Sequence, residues 1–489
     1  MQLKNRRFFF ILCFALLLLL EFYFIDFVVD DAFISYRYAK NLVRGNGMVF
    51  NLGEKVEGYT NFLWVILISI FIKVGATPVI VSKVFGIVSS FLLLYGTYLI
   101  GKKLLDSKYP YDLIALFLLS VSPCIAVWAV GGLETVFFAA LVVWAIYFFF
   151  STKYLLLSPY LFILASMTRP EGVLFFLIIL VYMLIVRRYR DSLGFLTRFL
   201  IFGGIYFVWR LYYFGDLLPN TFYAKVGRFG GHHWLSGFGY FYDFVKYYGG
   251  GFLFVILPVF PILLKRTSDK YYFIIGTVVV YSLYILCVGS DWMPQYRFFV
   301  PVLPFFYLLI QKGIETLGGQ IKKRYMVYTV ILLFLMVHSL QSLAMIILSH
   351  RPKTTFFSDS RINIKSHKEA TSQFIEVGKL LKEIASPNDS MITYAVGAIG
   401  YYSDLYIIDT HGLVSPHLIP LSDDEMPEYI LETHPTFVEN ISGELRLWGY
   451  EEEFASRYVS ILNEGILRKI YVRRENLAHV RERLQNVSR

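Results

Sequence analysis

The chain has 489 residues, of which 56% are hydrophobic and 17% charged, against about 45–50% and about 25% in soluble domains. Together with a mean hydropathy of +0.56, this excludes an ordinary soluble enzyme, and also a disordered chain, which lacks the apolar residues to fold. The net charge of +10 points either to nucleic acid or to a membrane topology that gathers Lys and Arg in cytoplasmic loops.

At the N-terminus, Lys4, Arg6 and Arg7 precede an apolar run over 8–28. The run is longer than the apolar core of a signal peptide and no small-x-small cleavage site follows it, so it reads as a retained first span. Further spans are predicted at 79–101, 111–130, 133–150, 155–167, 173–186, 195–214, 251–264, 271–288, 298–311 and 325–347. The run at 61–74 is short enough to lie flat or re-enter. If it lies flat, Lys102, Lys103, Lys108, Lys153, Arg187, Arg188, Arg190, Arg198, Lys265, Arg266, Lys270, Lys312, Lys322, Lys323 and Arg324 all fall on the cytoplasmic side. Counting it as a span would put every one of these loops outside. The positive-inside rule therefore predicts about eleven spans, N-terminus in and C-terminus out. The basic surplus is absorbed by topology, and nucleic acid is not an expected partner.

The expected fold class is a polytopic α-helical membrane protein, residues 1–349, with a first outer loop at 29–78 and an extracytoplasmic C-terminal α/β domain at 350–489. In that last part a helix is predicted over 368–384, stopping at Ser386-Pro387-Asn388-Asp389. Strands follow at 391–396, 405–409 and 466–472, with a last helix at 477–484. Cys13, Cys124 and Cys287 lie far apart in apolar runs, a pattern with neither a disulfide framework nor metal spacing.

With the topology set by Lys and Arg alone, the acids and aromatics collect on the outer side. Asp30-Asp31 directly follows the first span. Such a pair near lipid is costly unless used or paired. One carboxylate could take a proton from an acceptor hydroxyl, and two could share a divalent cation; the plainer alternative is a solvated helix end. Arg37 either holds a phosphate through bidentate hydrogen bonds or snorkels at the interface. Glu134, Arg169 and Glu171 are candidates to bind sugar hydroxyls, with an internal ion pair as the alternative for Arg169 and Glu171. The segment 210–225 is rich in polar and aromatic residues and carries Asn220 and Lys225, while Ser290-Asp291-Trp292-Met293-Pro294-Gln295-Tyr296-Arg297 carries Asp291, Trp292 and Arg297. Lys225 and Arg297 offer cations for a lipid phosphate. His232-His233 lacks zinc-type spacing, and His411, beside Asp409 and Gly412, stays outside the candidate site.

The run Asp30-Asp31-Ala32-Phe33-Ile34-Ser35-Tyr36-Arg37-Tyr38-Ala39, continuing through Val56-Glu57-Gly58-Tyr59-Thr60-Asn61-Phe62-Leu63-Trp64, resembles the GT-C class of polyprenyl-phosphate-sugar-dependent glycosyltransferases. Leu133-Glu134-Thr135, Thr168-Arg169-Pro170-Glu171-Gly172, Leu218-Pro219-Asn220-Thr221 and Asp291-Trp292-Met293-Pro294 fit the same pattern. Within the class the chain is most similar to the terminal arabinofuranosyltransferases of mycobacterial cell walls and their relatives, over about residues 25–300.

The resemblance implies a bacterial cytoplasmic-membrane enzyme whose first outer loop carries the catalytic acid, Asp30 or Asp31, with Asp31 preferred. It implies a polyprenyl-phosphate-linked sugar as donor, its phosphate met by Arg37, Lys225 and Arg297. Glu134, Arg169, Glu171, Asn220, Asp291 and Trp292 then bind sugar or support the site. The acceptor would be a cell-envelope glycan or glycolipid, held by the C-terminal domain. Arabinofuranose is favoured only through the nearest resemblance. Relatives differ in their need for a divalent metal. A transporter or flippase of lipid-linked saccharides is the alternative; it calls for ionisable groups along the spans, where Glu21 and Lys83 are the main ones.

Overall fold

The computed structural model describes residues 2–228, 233–248, 253–350, 362–422, 424–440, 449–461 and 469–487. By internal packing the chain forms two units that do not follow chain order. One comprises Met1–Phe27, Val79–Val208 and Gly231–His367, and the other Val28–Pro78, Trp209–Gly230 and Lys368–Arg489. The segment Val28–Pro78 thus folds with the C-terminal part of the chain.

The first unit is helical. Among the described residues four helices, Pro78–Leu104, Tyr189–Phe214, Asp269–Val288 and Tyr325–Ser349, all mainly in this unit, are long and apolar enough to cross a membrane. The chain is built as a multi-pass membrane protein. The predicted span at 111–130 is a bent pair, Tyr111–Ser120 and Pro123–Val130, apolar enough together to cross but broken by 51°. Pro123 sits in the first turn of the second half, where its missing N–H costs nothing, whereas inside one continuous helix it would remove a hydrogen bond and clash. Thr135–Phe149, Leu155–Thr168 and Gly172–Ile185 are apolar but shorter than one full crossing. Helix length alone therefore does not reach eleven single spans. Of the two ionisable groups noted in the spans, Glu21 accepts a hydrogen bond from Ser90 at 2.6 Å, and Lys83 donates to the carbonyls of Ile25 and Phe27.

The second unit contains a five-stranded sheet. Its strands are β1 (Ser390–Thr393), β2 (Tyr406–Asp409), β3 (Phe437–Glu439), β4 (Tyr458–Ser460) and β5 (Ile470–Arg473), in the order β2-β1-β3-β5-β4. β1 runs parallel to both β2 and β3, while β5 pairs antiparallel with β3 and β4. Ile392, Ile408, Leu418, Ile430, Val438 and Phe454 anchor its core.

Two sequence expectations change here. Residues 394–396 are not strand, because β1 ends at Thr393 and a helix, Val396–Ser403, begins. β3 and β4, at three residues each, are too short for alternation to show in sequence. Within the same unit, Phe62–Lys73 is a 12-residue apolar helix. At about 1.5 Å per residue it falls well short of the roughly 30 Å apolar core of a bilayer.

Candidate active site

The helix Asp30–Val43 begins with the acid pair. Asp30, Phe33, Arg37, Lys40 and Arg44 recur at three- to four-residue spacing, which places them along one face of a helix. That face lies on the short helix Val396–Ser403. Asp30 accepts backbone N–H groups from Gly397 at 3.1 Å and Ala398 at 2.8 Å, one on each carboxylate oxygen. At the other end Lys40 donates to the Tyr401 carbonyl at 2.9 Å and pairs with Asp404 at 2.6 Å. A carboxylate thus meets the N-terminus of the short helix and an ammonium its C-terminus, both favoured by the helix dipole. Phe33 packs between Tyr401 and Tyr402, at ring distances of 5.7 and 5.6 Å.

Arg37 is buried in this contact. Its guanidinium donates to the carbonyls of Phe50 (2.8 Å), Gly400 (2.8 Å) and Leu405 (2.6 Å) and to the Asn51 side chain (3.3 Å). A fork so occupied fixes backbone. A donor phosphate at Arg37, as the sequence leads one to expect, would have to displace these bonds.

Asn220 also proves to be a clamp. Its amide nitrogen donates to the carbonyls of Gly412 (2.6 Å) and Leu413 (2.8 Å), while its backbone N–H donates to Glu57 at 3.1 Å. Nearby, Glu57 and Arg210 form a buried pair at 2.5 Å. Lys225 lies in the helix Asn220–Arg228, and its side chain falls outside the described residues, as does the His232-His233 pair.

The electrostatics single out the acids. Burial pushes the Asp30 carboxyl up to about 7. The Ala398 and Gly397 N–H groups pull against that shift, and the charges of Asp31 and Glu439 add to it. Burial likewise lifts Glu57 to about 7 against the opposing pull of Arg210. Asp31 is partly exposed beside Asp30.

In the helical unit, Arg169 bridges two carboxylates, Glu134 at 2.9 Å and Glu171 at 2.8 Å, all three buried or nearly so. Each sits at a helix end: Glu134 before Thr135–Phe149, Arg169 after Ser158–Thr168, and Glu171 before Gly172–Ile185. Burial opposes charge on Glu171, yet the adjacent guanidinium holds its carboxyl below the usual range. In the same unit Arg297 pairs with Asp291 at 2.8 Å and lies against Trp128. Trp292 is exposed beside His367, with the rings 5.3 Å apart.

Among the described residues no three His, Cys, Asp or Glu side chains converge as a metal site needs. Both Asp30 oxygens are already turned to backbone N–H groups. These residues do not fit a resident divalent ion. Sequence reasoning missed Glu439 and Thr393, which meet at 3.0 Å at the ends of β3 and β1. Only the strand pairing brings them together.

Comparison with known proteins agrees with this architecture. Residues 362–476 match a family described as a domain of unknown function, DUF8728. The chain is 26% identical over 324 residues to a terminal β-(1→2)-arabinofuranosyltransferase of Corynebacterium glutamicum, covering 56% of this chain and 46% of that protein. It is 26% identical over 335 residues to the Mycobacterium tuberculosis protein of the same name, covering 59% and 52%. The chain thus spans about half the length of these curated relatives. Among solved structures it resembles ArnT from Cupriavidus metallidurans bound to undecaprenyl phosphate, with a TM-score of 0.60 and 11% identity over 94% of this chain and 97% of that one. The Archaeoglobus fulgidus oligosaccharyltransferase gives a TM-score of 0.56 and 11% identity over 88% and 69%. Both structures are GT-C glycosyltransferases, and the chain has the GT-C fold.

Proposed function

We propose that this chain is a glycosyltransferase that moves a sugar from a polyprenyl-phosphate donor to a cell-envelope glycan or glycolipid on the outer face of a bacterial cytoplasmic membrane. The observation that carries this reading is the acid pair of the first loop, held on the α/β domain through Asp30 with Asp31 beside it at the partly exposed helix start. The GT-C fold and the arabinofuranosyltransferase relatives support it, and arabinofuranose is the sugar their names favour. The predicted topology keeps the C-terminal domain outside the membrane.

In the proposed reaction the bond between the anomeric carbon and the phosphate oxygen breaks, and its electron pair leaves with polyprenyl phosphate. The acceptor oxygen bonds to the anomeric carbon, and its proton passes to Asp31 acting as base. Lys225 and Arg297 are the cations proposed to offset charge on the leaving phosphate. Glu134, Arg169 and Glu171 form a support, with Arg169 fixed between two acids. The transport alternative loses ground because Glu21 and Lys83 are engaged inside the helical unit.

The test is release of polyprenyl phosphate by purified protein supplied with a polyprenyl-phosphoryl arabinofuranose donor and an octyl arabinofuranosyl disaccharide as acceptor. Wild type is expected to turn over and Asp31→Asn to lose at least about a hundredfold, the scale of general-base catalysis. Equal rates in both proteins would remove Asp31 from the chemistry.

A further inference from the structure

The sheet of the second unit has a topological switch point. From β1 the chain moves to β2 on one side, then returns to place β3 on the other side of β1. All three strands are parallel, so their carboxyl ends share one edge. In open α/β sheets ligands bind outside the carboxyl ends of the strands at such a reversal, here between β1 and β3, because the departing connections leave a crevice there.

The residues at that edge follow one pattern. The strands end in Thr393, Asp409 and Glu439, all buried. The next residues, Tyr394 after β1, Thr410-His411 after β2 and Asn440 after β3, are partly exposed and polar or aromatic. Thr393 donates to Glu439 at 3.0 Å across the switch point, and the Tyr394 and His411 rings stand 6.0 Å apart. The His411 loop is fixed from both sides. Asp409 accepts the N–H groups of His411 (2.8 Å) and Val414 (3.1 Å), and Asn220 holds the Gly412 and Leu413 carbonyls. Asp30 caps the helix that leaves β1, so the acid pair of the first loop stands at the same edge.

Resting on the transferase reading above, we propose that this strand-end edge is the acceptor subsite, with Tyr394, His411 and Asn440 holding a glycan through hydrogen bonds to its hydroxyls and contact with its ring faces. Few convergent polar groups beside aromatic faces are what a small polyhydroxylated ligand needs. The edge suits the acceptor rather than the donor. It belongs to the α/β domain, where none of the described helices after Ser349 is among those long and apolar enough to cross a membrane, whereas a polyprenyl donor needs an apolar flank. A hydroxyl held there lies on the side of Asp31, the proposed base. Tyr394, His411 and Asn440 are positioning residues, since none is assigned the proton.

The experiment measures binding separately from turnover. The full chain in detergent is titrated with an octyl arabinofuranosyl disaccharide and followed by saturation-transfer NMR and calorimetry. Wild type and Asp31→Asn are expected to bind alike, with Tyr394→Ala and Asn440→Ala weakening binding at least tenfold. In turnover assays the same two variants raise KM for the disaccharide while KM for the donor stays within twofold. His411→Gln and Tyr394→Phe, which keep size and packing, carry the test should an alanine variant fail to fold. A disaccharide that does not bind wild type, or that binds the edge variants equally well, overturns the proposal, as does a change confined to donor KM. Wild type that binds the disaccharide yet releases no polyprenyl phosphate would overturn the transferase reading and leave the subsite standing.

Discussion

Gly397 has no room for a side chain because Asp30 lies against it: a Cβ there would fall 2.0 Å from the Asp30 carbonyl oxygen and 2.7 Å from its carboxylate. The contact is backbone to backbone, so no flexible group can move aside. Gly397→Ala is expected to part the two helices, at the cost of about 1–3 kcal/mol typical of overpacking. Thermal unfolding should show a lower midpoint, and hydrogen exchange should rise over 394–403. An unchanged midpoint would mean that the helices do not pack this closely.

The two first-loop acids should separate in their effects. Asp30→Ala removes a helix cap, with an expected loss of about 0.5–2 kcal/mol of stability, whereas Asp31→Ala should leave stability nearly intact and abolish transfer. Unfolding midpoints measured beside turnover decide this. A stable, inactive Asp30 variant with an active Asp31 variant would exchange their roles.

Asp30 also gives a pH signature. Its carboxyl is raised from an ordinary 3.8 to about 7, so between those values the folded state binds more protons than the unfolded one. Stability should therefore fall as pH rises from about 4 to about 7. Glu57 contributes in the same direction, so the comparison is wild type against Asp30→Asn, whose slope should be shallower. Equal slopes would remove Asp30 as a source.

Asp404 works in the opposite sense. Burial opposes its charge, but hydrogen bonds from Lys382 and Lys40 hold its carboxyl down at about 2. Its stabilisation is present above about pH 4 and is lost as pH falls toward 2. Asp404→Asn should cost about 1 kcal/mol at neutral pH, as a partly exposed ion pair does, and this difference should vanish in acid denaturation.

Arg37 and Arg169 distinguish support from chemistry. Arg37→Lys cannot reproduce a fork that meets three carbonyls. It should lower the unfolding midpoint without a selective change in donor KM. Arg169→Ala leaves Glu134 and Glu171 facing each other, buried, with an expected cost of about 3–5 kcal/mol. A selective donor effect from Arg37→Lys at unchanged stability would restore its phosphate role.

The sequence by itself determined what depends on composition and on neighbours in the chain. Apolar runs mark most of the helices, because a chain in lipid must satisfy its own backbone hydrogen bonds. Spacing places Asp30, Phe33, Arg37 and Lys40 on one helix face. The motifs from Asp30 to Trp64 pointed to the GT-C fold.

What the face packs against was decided only by tertiary structure. Gly397 and Gly400 were visible merely as glycines, and their partners Asp30 and Arg37 lie more than 360 residues away. Arg37 read as a phosphate ligand or a snorkelling side chain because nothing local reveals which carbonyls will surround it. Thr393 and Glu439 meet only once parallel pairing fixes the register of strands too short to announce themselves. Local periodicity records which way a side chain faces, but its long-range partner is fixed by strand register and helix packing, which no stretch of neighbouring residues encodes.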